Sequence, residues 1–146
     1  MIASARAFGR RAIASRGWAD LSLVDDQPDC LSIGDVNLQA LFTRVAAVVH
    51  HGGAGTATAA TRAGAPQVVM PRHYDQHHFA QRVNELGIGH AHPPVAPTTD
   101  SLTGALEHAL EPDVAARARF IAPSVRTDGA QVAARHSITA GPRNSF

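Results

Sequence analysis

Between residues 45 and 90, short apolar runs alternate with glycine-punctuated stretches of helical period. The run VAAVVH at 45–50 is small and β-branched, the composition of a strand buried on both faces. Gly52, Gly53 and Gly55 follow as a tight turn, and Thr56 opens an alanine-rich helical segment to residue 63 that Gly64 stops. A second buried run, QVVM at 67–70, ends at Pro71. Over residues 75–86, Phe79, Val83 and Leu86 form an apolar stripe, Asp75 stands where a helix cap would, and Gly87 closes the segment. A third short strand falls at 88–90. Strand, helix, strand, helix, strand with connections this short predicts an α/β fold, a parallel sheet with helices on its faces.

The flanks extend the same pattern. Upstream, the sequence predicts a helix near residues 2–9 stopped by Gly9, strands at 11–15 and 31–33, and a short helix at 37–44. Downstream, a proline-rich loop at 93–99 precedes helices from 99 or 100 to 110, from 113 to 121 and from about 128 to 138. A chain of 146 residues with this pattern is read as one domain over residues 1–140, with a frayed tail at 141–146. Residues 1–19 are rich in Arg and hold no acid, a composition that imitates an organellar transit peptide. The helix-then-strand reading is preferred. No apolar signal region is visible and no apolar run approaches the length of a membrane span, so the expected location is cytoplasmic.

Composition removes several chemistries. All 13 basic side chains are Arg, which excludes a Schiff-base lysine and a P-loop lysine on this chain. Cys30 is alone, so neither a disulfide framework nor a cysteine zinc cluster can form. A net charge of +1 argues against nucleic-acid binding by bulk electrostatics. Seven of the nine histidines lie between residues 50 and 92. His73 and His77 have a metal-sharing spacing, but Pro71 and the expected cap at Asp75 put His73 ahead of the helix, so a metal site is disfavoured.

The stretch from His50 to Gln76 carries the chemistry. A strand, a glycine turn and a helix start present free N–H groups and a positive dipole end to an anion. His51 stands at the strand's carboxyl end, where open α/β sheets take ligands, and Thr56 adds a hydroxyl. A phosphate or pyrophosphate site is one reading; a turn that only packs is the other, because a lone glycine pattern is weak. Asp75 and Gln76 pair a carboxylate with a carboxamide, which suits vicinal sugar hydroxyls, yet Asp75 alone reads more simply as an N-cap.

His51-x-Gly53-x-x-Thr56, then RAGAPQVVMP, then Asp75-Gln76 together resemble the donor signature of family 1 nucleotide-sugar glycosyltransferases. SRGWADL, DVNLQALFTRVAAVVHHGGAGT and FAQRVNELGIG are similar to the bacterial branch that decorates glycopeptide and macrolide antibiotics. The resemblance runs from about Arg10 to Gln131. It implies a Rossmann-like domain, the C-terminal half of a two-domain GT-B fold, that binds a UDP- or TDP-sugar and transfers a hexosyl group to a natural-product hydroxyl, inverting configuration without a metal. It implies that His51, Gly52, Gly53, Ala54, Gly55 and Thr56 hold the donor phosphates, that Asp75 and Gln76 hold the sugar, and that Val36 and Asn37 contact the base.

The departures are specific. Many relatives carry a Trp near the position of Ile33 that stacks on the base, and a Glu at the position of Ala59 for the ribose; this chain has neither. Trp18, in the RGWADL loop, is read equally as packing or as a cleft wall. The acceptor-binding domain with its general base, and the first strand of the donor domain, are expected to be missing, so no catalytic residue is assigned on this chain. The alternatives are an inactive nucleotide-sugar-binding module, a remnant that needs a separate N-terminal half, and a histidine-based metal-binding regulator.

Overall fold

Two adjacent valines set the layering. Val68 and Val69 lie in β4 (Gln67–Val69), both fully buried, and strand geometry sends them to opposite faces. Val69 packs with Ala80 and Val83 of α4 (Gln76–Glu85), with Ile88, and with Ala118 of α6 (Pro112–Ile121). Val68 packs with Ala105, Leu106 and Ala109 of α5 (Thr99–Ala109), with Phe8 and Val49 alongside. Helices therefore cover both faces, as the alternating pattern predicts. The chain is seen in a computed structural model that describes residues 1–17 and 27–139. Trp18 and the tail at 141–146 lie outside the described residues.

Every described strand pair is parallel. β3 (Val48–His50), β4 and β5 (Gly89–Ala91) form one group in that order, with Val48 opposite Gln67 and Gln67 opposite Gly89. β1 (Ala12–Ser15) pairs with β2 (Cys30–Ile33) in a second group, Ala12 opposite Cys30. Between the groups lies α2 (Leu38–Phe42), whose Phe42 packs with Val48, Ala60 and Ala65. Ala60 belongs to α3 (Ala54–Arg62), and its small side chain lets α2 and β3 approach that helix. α1 (Ile2–Ala7) docks on α5, where Ser4 Oγ donates to the Thr99 carbonyl at 3.2 Å. Arg6 grips Asp29 with two N–H groups at 2.7 and 2.6 Å, holding α1 to the segment that enters β2.

Helix ends follow their caps. Thr98 and Ser101 form a reciprocal capping box at the start of α5. Pro112 sits in the first turn of α6, where its missing N–H costs nothing. A short 3₁₀ turn (Ala122–Ser124) leads on to α7 (Gly129–Thr139). The parallel strands put their carboxyl ends on a common edge, and the connections leaving β3, β4 and β5 there are the His51, Pro71 and His92 segments.

Candidate functional site

β3 runs almost directly into α3. The helix begins at Ala54, two residues before the start predicted at Thr56, and Gly53 is its N-cap with extended backbone (φ −61°, ψ 137°). The reason is that Gly55 is a helical glycine: its φ is not left-handed, and a Cβ there would meet nothing within 4 Å. The turn therefore shrinks to His51, Gly52 and Gly53, and Thr56 becomes the third helical residue. The first intrahelical bond is Ala57 N–H to the Gly53 carbonyl at 3.0 Å. The N–H groups of Ala54, Gly55 and Thr56 precede it and face out of the helix mouth, where the dipole is positive.

Gly52 joins this mouth to the next element. Its φ is +97°, and a Cβ would lie 2.9 Å from Val69 Cγ1 and 3.0 Å from the Gln76 carbonyl oxygen. The turn is thus wedged between β4 and the first residue of α4. Gly53 differs: a Cβ there would lie 2.8 Å from His51 Nε2, so the exposed His51 ring lies over it and would have to turn aside for a side chain.

Asp75 occupies the N-cap position of α4 but makes no capping hydrogen bond, which corrects the cap expected from the sequence. Its backbone is already helical (φ −65°, ψ −15°), whereas a capping side chain reaches back from an extended residue. Gln76 replaces it: its Oε1 accepts from the N–H groups of Arg72 at 2.8 Å and His73 at 3.1 Å. That bond folds the 71–75 segment back on the helix, with Tyr74 at φ 49° and almost wholly exposed. Beside it, Met70, Arg72, His73, Pro93 and Pro97 line an open cavity of about 320 Å³. A second cavity of about 290 Å³ lies at the opposite, amino edge of the strands, between Arg10, Pro66 and Arg119.

The remaining predicted site residues stand on other elements. Val36 and Asn37 follow the carboxyl end of β2, in the other strand group, and both are exposed. Asn37 spends its side chain on α2, where Oδ1 accepts from Ala40 N–H at 3.2 Å, and its carbonyl accepts from Leu41 N–H at 3.0 Å, leaving its backbone N–H for any ligand. His73 lies ahead of α4 as the sequence indicates, and His77 and His78 are exposed on it. His92 is buried between the Pro93 carbonyl and Ser101 Oγ, both at 2.8 Å, so it braces the α5 cap. Among the described residues no three His, Cys, Asp or Glu side chains are placed to share a metal ion.

Sequence reading gave His50 as a residue that packs or orients beside His51, and the structure puts it in a buried cluster whose other members were not foreseen. His50 Nδ1 lies 3.1 Å from the Gly52 nitrogen, and its Nε2 lies 2.9 Å from Gln67 Oε1. Gln67 Nε2 in turn donates to Thr61 Oγ1 at 2.9 Å. Burial pushes the His50 pKa down, with neighbouring His51 adding to the effect against the opposing bond to Gln67. The only sequence signal was a Gln inside an otherwise apolar strand.

Comparison with known proteins bears on this arrangement. The chain is 61% identical over 130 residues to a vancomycin aglycone glucosyltransferase from Amycolatopsis orientalis, which covers 89% of this chain and 32% of that protein. Among solved structures, the glycosyltransferase of kitacinnamycin superposes with a TM-score of 0.73 at 27% identity, over 89% of this chain and 34% of that one. Glycosyltransferase VinC, solved in complex with dTDP, superposes with a TM-score of 0.62 at 34% identity, over 68% of this chain and 26% of that one. The chain therefore spans about a third of the length of the relatives it matches. Residues 4–134 match the family described as erythromycin biosynthesis protein CIII-like, C-terminal domain, and the chain belongs to that family, the C-terminal half of GT-B glycosyltransferases.

Proposed function

We propose that this segment binds the nucleotide-sugar donor of a glycosyltransferase that modifies a hydroxyl of an antibiotic-like natural product. The observation that carries the reading is the wedge at Gly52, which packs the turn leading into the open N–H groups of α3 against Gln76, the residue after Asp75. The N–H groups of Ala54, Gly55 and Thr56, the Thr56 hydroxyl and the His51 ring are donors suited to a diphosphate. Asp75, free of capping duty, and the amide nitrogen of Gln76, whose oxygen is engaged, suit the hydroxyls of the sugar one step further along the edge. Val36 and the backbone N–H of Asn37 are assigned to the base. Support also comes from the 61% identical relative, named for glucosyl transfer to the vancomycin aglycone, and from the dTDP complex of VinC.

In the reaction, the acceptor oxygen attacks the anomeric carbon as its bond to the diphosphate oxygen breaks, which inverts that carbon. The proton of the acceptor passes to a base in the part of the relatives' length that this chain does not span. Charge builds on the departing diphosphate, where preorganised neutral donors stabilise it without needing a metal ion. Asp75 and Gln76 act by orientation. Titration calorimetry with UDP and dTDP tests the binding step: the chain takes up at least one of them, and His51→Ala weakens uptake at least about tenfold, a loss of about 1.4 kcal/mol. A folded chain that gives no heat with either nucleotide would overturn the reading.

A further inference from the structure

We propose that His50 is a positioning residue, whose ring, oriented by Gln67 and Thr61, accepts the Gly52 N–H and so aims the glycine turn. The functional consequence rests on the donor-site reading above; the hydrogen-bond geometry does not.

The direction of every proton in this cluster follows from its two ends. A backbone N–H can only donate, so His50 Nδ1, 3.1 Å from Gly52 N, must present its lone pair. The neutral ring then carries its proton on Nε2 and donates to Gln67 Oε1 at 2.9 Å. With its oxygen occupied, Gln67 donates through Nε2 to Thr61 Oγ1 at 2.9 Å. The Thr61 proton goes to the Ala57 carbonyl at 2.8 Å, an acceptor that can only accept. The relay starts at the glycine turn, crosses β3 and β4, and ends in α3, one residue beyond the N–H groups of the helix mouth. It thereby fixes the turn from both sides. His50 and Gln67 are both buried, and Gly52 has no side chain of its own to hold it against rotation. A buried hydrogen-bonded network adds direction to the packing of the turn against Val69 and Gln76, because it specifies where the Gly52 N–H points. The lowered pKa of His50 keeps the ring in the neutral form that the relay needs.

Two substitutions separate its halves. Asn places a carboxamide oxygen near the position of Nδ1, so His50→Asn keeps the acceptor for Gly52. Gln reaches the position of Nε2, so His50→Gln keeps the partner of Gln67 and loses that acceptor. With UDP and dTDP as probes, His50→Asn rescues binding to within about threefold of the unchanged chain, while His50→Gln weakens it at least about tenfold. Equal losses in both, or none in either, would overturn the proposal. A long-range ¹H–¹⁵N spectrum of the unchanged chain supplies a second readout, independent of nucleotide and of whether the variants fold. It is expected to show His50 protonated on Nε2 alone, with the Gly52 amide protected from exchange. A proton on Nδ1, or an unprotected Gly52 amide, would overturn the proposal. If the chain binds neither nucleotide but the spectrum is as expected, the donor-site reading fails while the positioning geometry stands.

Discussion

Three glycines that look interchangeable in HHGGAGT do three different jobs. Gly52 is held at φ +97° against Val69 and Gln76, so Gly52→Ala forces both backbone strain and overlap. We expect a loss of about 3 kcal/mol in urea unfolding; a loss within the error of the measurement would contradict the packing at this turn. Gly55 has neither constraint and lies in α3, so Gly55→Ala is expected to stabilise the fold by about 0.5–1 kcal/mol. The same change should weaken nucleotide binding, because the new methyl group stands at the helix mouth where the diphosphate is proposed to sit. Unchanged affinity would show that the ligand does not come close there. The sequence shows that glycines bend the chain between His51 and Thr56, but not which of them bends it. That depends on Val69 and on Gln76, which pack against the turn from later in the chain.

At the level of elements, the strands were legible because β-branched runs such as VVH and QVV can only be buried, and the helices because glycine and proline bound them. The strand ends were less so. Residues 45–47 read as strand, yet β3 begins at Val48, since its neighbour β4 offers only Gln67–Val69 to pair with. The start of α4 was legible in position but not in chemistry: Gln76 closes the loop that Asp75 was expected to cap, a bond made possible by the left-handed backbone of Tyr74. The capping box of α5 offers a test at this scale. Ser101→Ala keeps the Ser101 N–H that donates to Thr98 Oγ1 but removes the hydroxyl that accepts from Thr98 N–H and meets buried His92. Thermal unfolding should register a loss of about 1–2 kcal/mol, beyond the usual cost of a cap alone because His92 is left short of a partner.

Over the whole molecule, the parallel strands place the glycine turn and the Asp75–Gln76 corner on one edge, and that shared edge is why two weak motifs are proposed as one site. The same packing makes the protein sensitive to acid. Burial holds His50 below its ordinary value of 6.5, and burial with neighbouring His108 and His92 does the same to His90. The unfolded chain then binds protons that the folded chain refuses, so stability is full above pH about 6.5 and declines as pH falls below it toward the lowered folded values. Unfolding in urea at pH 7.5 and pH 5.5 checks this, and greater stability at the lower pH would contradict it.

The most direct test of the donor site is amide mapping by ¹H–¹⁵N spectroscopy as UDP or dTDP is added. The account predicts that the largest shifts fall on residues 53–56, with Asp75 and Gln76 responding when the sugar conjugate replaces the free nucleotide. Shifts that instead cluster at Arg10 and Arg119 on the opposite edge, or an unaltered spectrum at saturating nucleotide, would contradict it.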